Sequence, residues 1–307
     1  MLLGIILMPG FWMGFWARVK FKNRGMFIYL MYLKLLKRAW NEIFGNPGVF
    51  LPDIFGLIMT FIFGGLALYF SGLGGVFLQI VSGVETEMTE AVAYFINNPG
   101  AVVNAFLGVV FFIVTTFFIG AGFSVAKYKM FSDMAGKKKT GFFKEFSPAN
   151  KKYYWRFIGV RIAVFFSFLL CFAAALLIGG AFGVISKLFG VAVVVILLVV
   201  GMIYLGLMLF FIYPALFIED KGIMEAFKRS FEFARRNLKK TVITALVVIG
   251  IMVVASIVTQ ILIMPLDGFK IVQFAVSSVI ALIPGVWSGY YIFLAYKEFG
   301  AKARAGK

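Results

Sequence analysis

The chain has 307 residues, a formal net charge of +17, 62% hydrophobic residues and only 14% charged residues. An ordinary soluble domain carries roughly 25% charged residues, so this composition excludes one and points to a chain built for a lipid bilayer. It contains no His and a single Cys, Cys171, which removes the commonest general base and metal ligand and any internal disulfide; no cofactor and no metal are expected.

Residues 1–17 are uncharged but are interrupted by Pro9 and Gly10 and are short for a span. Three readings stand side by side: a short re-entrant helix, a seventh span, and a natural start at Met26. There is neither the basic leader nor the small-residue cleavage site of a signal peptide. Arg18, Lys20, Lys22 and Arg24 follow. From 26 to 45, Lys34, Lys37, Arg38 and Asn41 recur at i, i+3, i+4 and i+7, a polar stripe on a helix otherwise covered by Leu33, Leu36, Trp40, Ile43 and Phe44. Such a helix is expected to lie flat at the interface, its basic face toward headgroups and its apolar face in the acyl boundary.

Six uncharged apolar runs follow, at 54–84, 91–126, 162–186, 188–218, 241–266 and 271–296. Each exceeds the roughly 20 residues that cross a hydrocarbon core about 30 Å thick. Stretches such as 191–200 are continuously apolar where barrel strands would alternate. The sequence therefore predicts an all-α integral membrane protein with six transmembrane helices in three hairpins, each preceded by a cytoplasmic interfacial amphipathic segment.

The gaps between runs fix an orientation. Of the thirty Lys and Arg, only Lys187 and Lys270 fall in the gaps after the first, third and fifth runs. The gap after the first run holds Glu85, Glu87 and Glu90 and no basic residue. Positive-inside bias makes the basic gaps cytoplasmic, giving a multi-pass cell-membrane protein with cytoplasmic N- and C-termini if residues 1–17 do not span.

The second basic gap, 127–161, contains Lys137, Lys138 and Lys139, a run of Phe142, Phe143 and Phe146, and then Lys151, Lys152, Tyr153, Tyr154, Trp155 and Arg156. Aromatic residues at the start of a span read as an interfacial belt; the sharper reading is a lipid-headgroup or nucleotide site built from Lys151, Lys152, Arg156 and the aromatics. The third, 219–240, repeats the amphipathic pattern with Phe227, Phe231, Ala234 and Leu238 flanked by Lys228, Arg229, Arg235 and Arg236. Asp220 is placed as its N-cap, with i,i+4 pairs Glu225–Arg229 and Glu232–Arg236. The candidate headgroup ligands are thus Lys37, Arg38, Lys151, Lys152, Arg156, Lys228, Arg229, Arg235 and Arg236.

Within the spans the polar candidates are Asp53, Gln260 and Gln273. A charge at membrane depth is a functional candidate by default, but Asp53 at the edge of its run is expected at headgroup level, capping a helix. Glu219 and Asp220 could join Asp133 or Glu145 around a cation; adjacent acids before a helix more simply serve its cap and dipole. Gly64, Gly65, Gly201 and Gly206 are expected at helix contacts, and Pro284–Gly285 should loosen or kink the sixth span.

Leu36-Lys37-Arg38-Ala39-Trp40 and Phe227-Lys228-Arg229-Ser230-Phe231 occupy matching places, each followed by Asn46 or Asn237 and a span. They suggest a threefold unit over about 26–126, 127–213 and 214–300, making 26–300 one membrane domain between an apolar segment, 1–25, and a basic tail, 301–307.

The segment from Tyr213-Pro214-Ala215 through Glu219-Asp220-Lys221-Gly222 to Phe227-Lys228-Arg229-Ser230-Phe231, with Lys37–Trp40, Asn46-Pro47 and the loop opening at Gly136, resembles multi-spanning prokaryotic proteins related to the membrane domain attached to some glycerophosphodiester phosphodiesterases. The resemblance covers nearly all of the chain after Met26 and implies a six-helix membrane module. It does not imply phosphodiesterase activity, because the sequence holds no soluble catalytic barrel and no His.

Two function classes follow. One is a non-enzymatic membrane protein whose partners are the phospholipid bilayer and its anionic headgroups, organising lipids or proteins at the cytoplasmic leaflet. The other is a small-solute transporter or channel component, which calls for polar groups near the bilayer midplane. The net charge is explained by membrane orientation, without a nucleic-acid partner.

Overall fold

The computed structural model describes residues 24–72, 74, 96, 98–184, 186–266 and 268–305; the readings for residues 1–17 and for the loop of Glu85, Glu87 and Glu90 lie outside them. The elements are α1 (Arg24–Phe44), a 3-10 turn (Pro47–Phe50), α2 (Leu51–Phe70), α3 (Pro99–Ala135), α4 (Phe142–Gly183), α5 (Lys187–Leu209), α6 (Ile212–Ile218), α7 (Ile223–Arg236), α8 (Leu238–Ile263), a second 3-10 turn (Met264–Leu266) and α9 (Lys270–Ala305). No strand occurs among the described residues. Among the described residues six helices, α2, α3, α4, α5, α8 and α9, are long and apolar enough to cross a membrane, and together they form an all-α, six-helix membrane fold. Helices are the natural solution, because each backbone N–H and C=O must be satisfied inside its own segment where no water reaches. First-turn prolines, Pro52 in α2 and Pro99 in α3, help set two of the starts.

Consecutive spans pair as hairpins α2/α3, α4/α5 and α8/α9, and small residues set how closely they approach. A Cβ on Gly108 of α3 would stand 2.7 Å from Ser71 Cβ and 2.9 Å from the Ala67 carbonyl. In α4/α5, a Cβ on Gly190 would meet Gly183 Cα at 2.6 Å and the Gly179 carbonyl at 2.8 Å, and one on Gly201 would meet Cys171 Sγ at 2.5 Å. Of the four glycines singled out from sequence, Gly201 and Gly64 are at contacts, the latter 3.5 Å from Phe112, whereas Gly65 and Gly206 face open space. α9 runs unbroken through the buried Pro284.

Helices α3, α4 and α9 have 37, 42 and 36 residues, roughly 54–63 Å at 1.5 Å per residue, well beyond the span requirement. The excess lies at the end carrying the basic segments, where it builds a packed head. Phe131 of α3, Phe157 of α4, Phe211 and Leu216 around α6, and Val286, Tyr290, Tyr291 and Phe299 of α9 are fully buried there. Tyr128 stacks on Tyr213 at 4.8 Å and on Phe293 at 5.7 Å. Toward the opposite end the hairpins expose nearly all their apolar side chains. Only 6–17% of the most apolar window of five spans is buried in protein, against 39% for α9, which is the central helix.

The amphipathic segments dock on this head. α1 buries Tyr32, Leu35, Ala39 and Ile43, the i, i+3, i+7 and i+11 positions of one face, and packs on α9. Trp40 meets Trp287 edge-on at 4.8 Å, and the Trp287 indole donates to the Leu36 carbonyl at 3.3 Å. α7 buries Ala226, Ser230, Phe233 and Ala234, and the Ser230 hydroxyl donates to the Met208 carbonyl at 2.7 Å. Their apolar faces are therefore largely met by protein rather than by an acyl layer; Leu33 and Phe44 of α1 and Met224 of α7 remain exposed. The middle basic segment forms no separate helix. α4 is continuous from Phe142 past Pro148, an exposed residue early in the helix.

Candidate functional site

The head presents a basic pole, and its acids divide the cations into two groups. Asp220 lies in the four-residue turn between α6 and α7 at φ +54°, a left-handed conformation that Asp tolerates better than most residues. From there it accepts hydrogen bonds from Lys152 at 2.5 Å and Arg156 at 3.1 Å of α4. The N-cap of α7 is Gly222, not Asp220, because the turn aims the Asp220 carboxylate at α4. Burial pushes this carboxyl up, but hydrogen bonds from Lys152 and Tyr153 and the charges of Lys152 and Arg156 outweigh it and hold it below its ordinary range.

Glu219 takes the bidentate fork of Arg229, with Nε at 2.9 Å and Nη2 at 3.0 Å, and the Tyr296 hydroxyl at 2.7 Å. Those hydrogen bonds raise the Arg229 pKa further, against the opposing effect of burial. Since Arg229 reaches back to Glu219, the i,i+4 pair with Glu225 does not form; Glu225 lies 3.6 Å from Lys221 instead. Glu232 and Arg236 form no ion pair either among the described residues. Glu42 accepts from Arg38 at 2.7 Å and from the Tyr290 hydroxyl of α9, so an ion pair on α1 is locked to the central helix. Asp133 is held by Lys129 at 2.5 Å. Of the acids considered as a shared cation site, Asp133, Glu219 and Asp220 are thus paired separately with nearby cations, and Glu145 forms no ion pair among the described residues.

Four of the nine headgroup candidates, Arg38, Lys152, Arg156 and Arg229, are engaged in these pairs. Lys37, Lys151, Lys228, Arg235 and Arg236 form no ion pair among the described residues, and Lys151, Lys228, Arg235 and Arg236 are exposed. Beside them stand the exposed Lys137, Lys138 and Lys139. Lys137, at φ +59°, closes α3 with two capping bonds, Lys138 N–H to the Asp133 carbonyl at 2.9 Å and Lys137 N–H to the Met134 carbonyl at 2.8 Å.

Asp53 sits in the first turn of α2 and makes no cap bond; its carboxylate meets Lys127 of α3 at 2.7 Å. This pair ties the first hairpin together at the pole. Gln260, exposed on α8, and Gln273, half-buried on α9, lie toward the opposite ends of their helices. Most hydroxyls within the spans are satisfied by their own helix: Thr60 by the Gly56 carbonyl, Thr115 by Phe111, Ser167 by Ala163, Thr259 by Ala255 and Ser278 by Phe274.

Sequence reasoning missed Arg161. It sits over the Phe157 ring at 4.5 Å and donates to the Ser124 hydroxyl of α3 at 3.1 Å. The i,i+4 spacing to Phe157 was the available signal, hidden by counting Arg161 with the loop charges.

Residues 153–295 match the family model described as Domain of unknown function (DUF7847). The similarity runs from α4 through most of α9 and takes in the turn of Glu219 and Asp220. No curated protein and no solved structure matches the chain.

Proposed function

We propose that this protein is a non-enzymatic cell-membrane module that engages anionic phospholipid headgroups at the cytoplasmic leaflet. The observation that carries the reading is the surplus of cations at the pole: Lys37, Lys151, Lys228, Arg235 and Arg236 form no ion pair among the described residues, while Glu42, Asp133, Glu219 and Asp220 are paired with other cations. Each favourably placed Lys or Arg contributes roughly 1 kcal/mol toward an anionic leaflet. The pole faces the cytoplasm with the C-terminus, and with the N-terminus if residues 1–17 do not span, in keeping with positive-inside bias. Local satisfaction of most span hydroxyls, with the buried Thr116 hydroxyl of α3 an exception, favours this reading over solute transport, which requires polar groups free to receive a substrate.

The test is reconstitution in nanodiscs of mixed phosphatidylcholine and phosphatidylglycerol. The expected result is enrichment of phosphatidylglycerol around the wild type, lost when Lys37, Lys151, Lys228, Arg235 and Arg236 are changed to Gln together. Saturable solute uptake in proteoliposomes, abolished by Asp53→Asn, would overturn it. Orientation is read separately in a Cys171→Ser background: Lys138→Cys should react with an impermeant thiol reagent only in inverted vesicles, and Leu188→Cys only in right-side-out ones.

A further inference from the structure

A groove of about 310 Å³ opens between α1 and the elbow joining α7 to α8. It is lined by Met31, Tyr32, Leu238 and Ile243 together with Arg236, Asn237, Lys239 and Lys240. Three cations and no carboxylate therefore share one concavity, at the lower end of the roughly 300–1,000 Å³ of small-molecule sites. Lys239 and Lys240 were absent from the sequence-based candidates.

The groove is held open by specific bonds. The Tyr32 hydroxyl donates to the Lys240 carbonyl at 3.3 Å, fixing α1 against the start of α8. The Lys240 ammonium lies over the Phe299 ring at 5.2 Å, which places it without neutralising it. Arg236 and Lys239 are exposed and form no ion pair among the described residues. The Asn237 side chain donates to the Phe233 carbonyl at 3.1 Å and makes no cap bond to α8, so the first N–H groups of that helix gain no side-chain acceptor from it.

Depth decides the kind of anion. The uncharged run of α8 begins at Thr241, so the three cations stand where a span meets the headgroup layer, and Ile243 continues the wall of the groove toward acyl depth. A free phosphate would use only the cationic rim. A phospholipid would use both rim and apolar wall.

We propose that this groove is a binding site for the phosphate of one anionic phospholipid, with Arg236, Lys239 and Lys240 as its ligands and Met31, Leu238 and Ile243 against the start of an acyl chain. The site rests on the lipid-binding reading above and gives it a location.

The experiment uses the full chain, delipidated in detergent, with phosphatidylglycerol titrated back and bound lipid counted by native mass spectrometry. Arg236→Gln/Lys239→Gln changes two exposed side chains outside the packed head, and its near-ultraviolet circular dichroism is expected to match the wild type. The control is Lys138→Gln/Lys139→Gln, which removes two exposed cations that lie outside both the groove and the headgroup candidates. The expected result is one tightest-bound lipid whose affinity falls about tenfold or more in the groove variant, with the control close to wild type. Equal loss in both variants would overturn the groove while leaving diffuse lipid attraction intact. No preference for phosphatidylglycerol over phosphatidylcholine in the wild type would overturn the lipid reading itself, and the groove with it. Inorganic phosphate alone binding the lipid-free protein as tightly, with the same loss in the groove variant, would assign the site to a soluble anion and overturn its assignment to lipid.

Discussion

Asp220 combines a left-handed backbone with two cationic partners, and the two roles can be separated. Asn tolerates the same backbone, so Asp220→Asn removes only the charge. Because the carboxyl is held below its ordinary 3.8, the pairs with Lys152 and Arg156 are intact from that value up to the alkaline range where Lys152 loses its proton, and are lost as the pH falls below it. Asp220→Asn is expected to lower stability at neutral pH by at most about 1 kcal/mol, as for other exposed pairs, with the gap to wild type closing in acid; thermal unfolding in detergent at neutral pH and well below 3.8 checks both. Lys137 sets the opposite case, a long side chain at the left-handed closing position of α3. Lys137→Gly should raise stability by about 0.5–1 kcal/mol, since Gly adopts that conformation without the Cβ penalty, read as a higher midpoint in the same unfolding experiment. Neither role was legible in the sequence. Asp220 stands out as an acid before a helix, but its partner lies 68 positions away, and only the fold shows that the turn aims it sideways.

At the scale of the helix, the spans and their pairing could be read directly, because an apolar run of sufficient length has few alternatives to crossing a bilayer. The contacts that seal each hairpin could not. Thirty-three glycines are present, and nothing in their spacing separates Gly190, pressed against Gly183 and the Gly179 carbonyl, from Gly206, which faces open space. Gly190→Leu is expected to force α4 and α5 apart and to cost about 1–3 kcal/mol, the usual range for overpacking. Gly206→Ala should be neutral or stabilising by up to about 1 kcal/mol through helix propensity. A side-by-side comparison of the two in detergent thermal melts tests the assignment; equal destabilisation would refute it. Of the apolar residues read as faces, Leu33, Leu36, Trp40, Ile43 and Phe44 on α1 and Phe227, Phe231, Ala234 and Leu238 on and after α7, only Ile43 and Ala234 are buried, because the faces that dock carry Tyr32, Leu35 and Ala39 on α1 and Ala226, Ser230 and Phe233 on α7. Periodicity reports that an apolar stripe is buried and is silent on whether lipid or protein buries it. Here the long overhangs of α3, α4 and α9 supply protein.

For the whole molecule, the head and the spans are made from the same helices, so neither can be detached from the other. α9 carries most of this connection: it pairs with α8 in the membrane, receives α1 on its flank, and bonds Glu42 through Tyr290 and Glu219 through Tyr296. A chain ending after residue 266 is expected to insert its first five spans yet leave α1 open to limited proteolysis, whereas the full chain protects it. The docking of α1 on α9 also imposes an order in time. The indole of Trp287 bonds a carbonyl 251 positions earlier, and at synthesis rates of about 5–20 residues per second that partner arrives roughly 10–50 s after Leu36. During that interval α1 is an amphipathic helix without its protein partner, and the surface of the membrane receiving the nascent chain is the apolar shelter nearest to it.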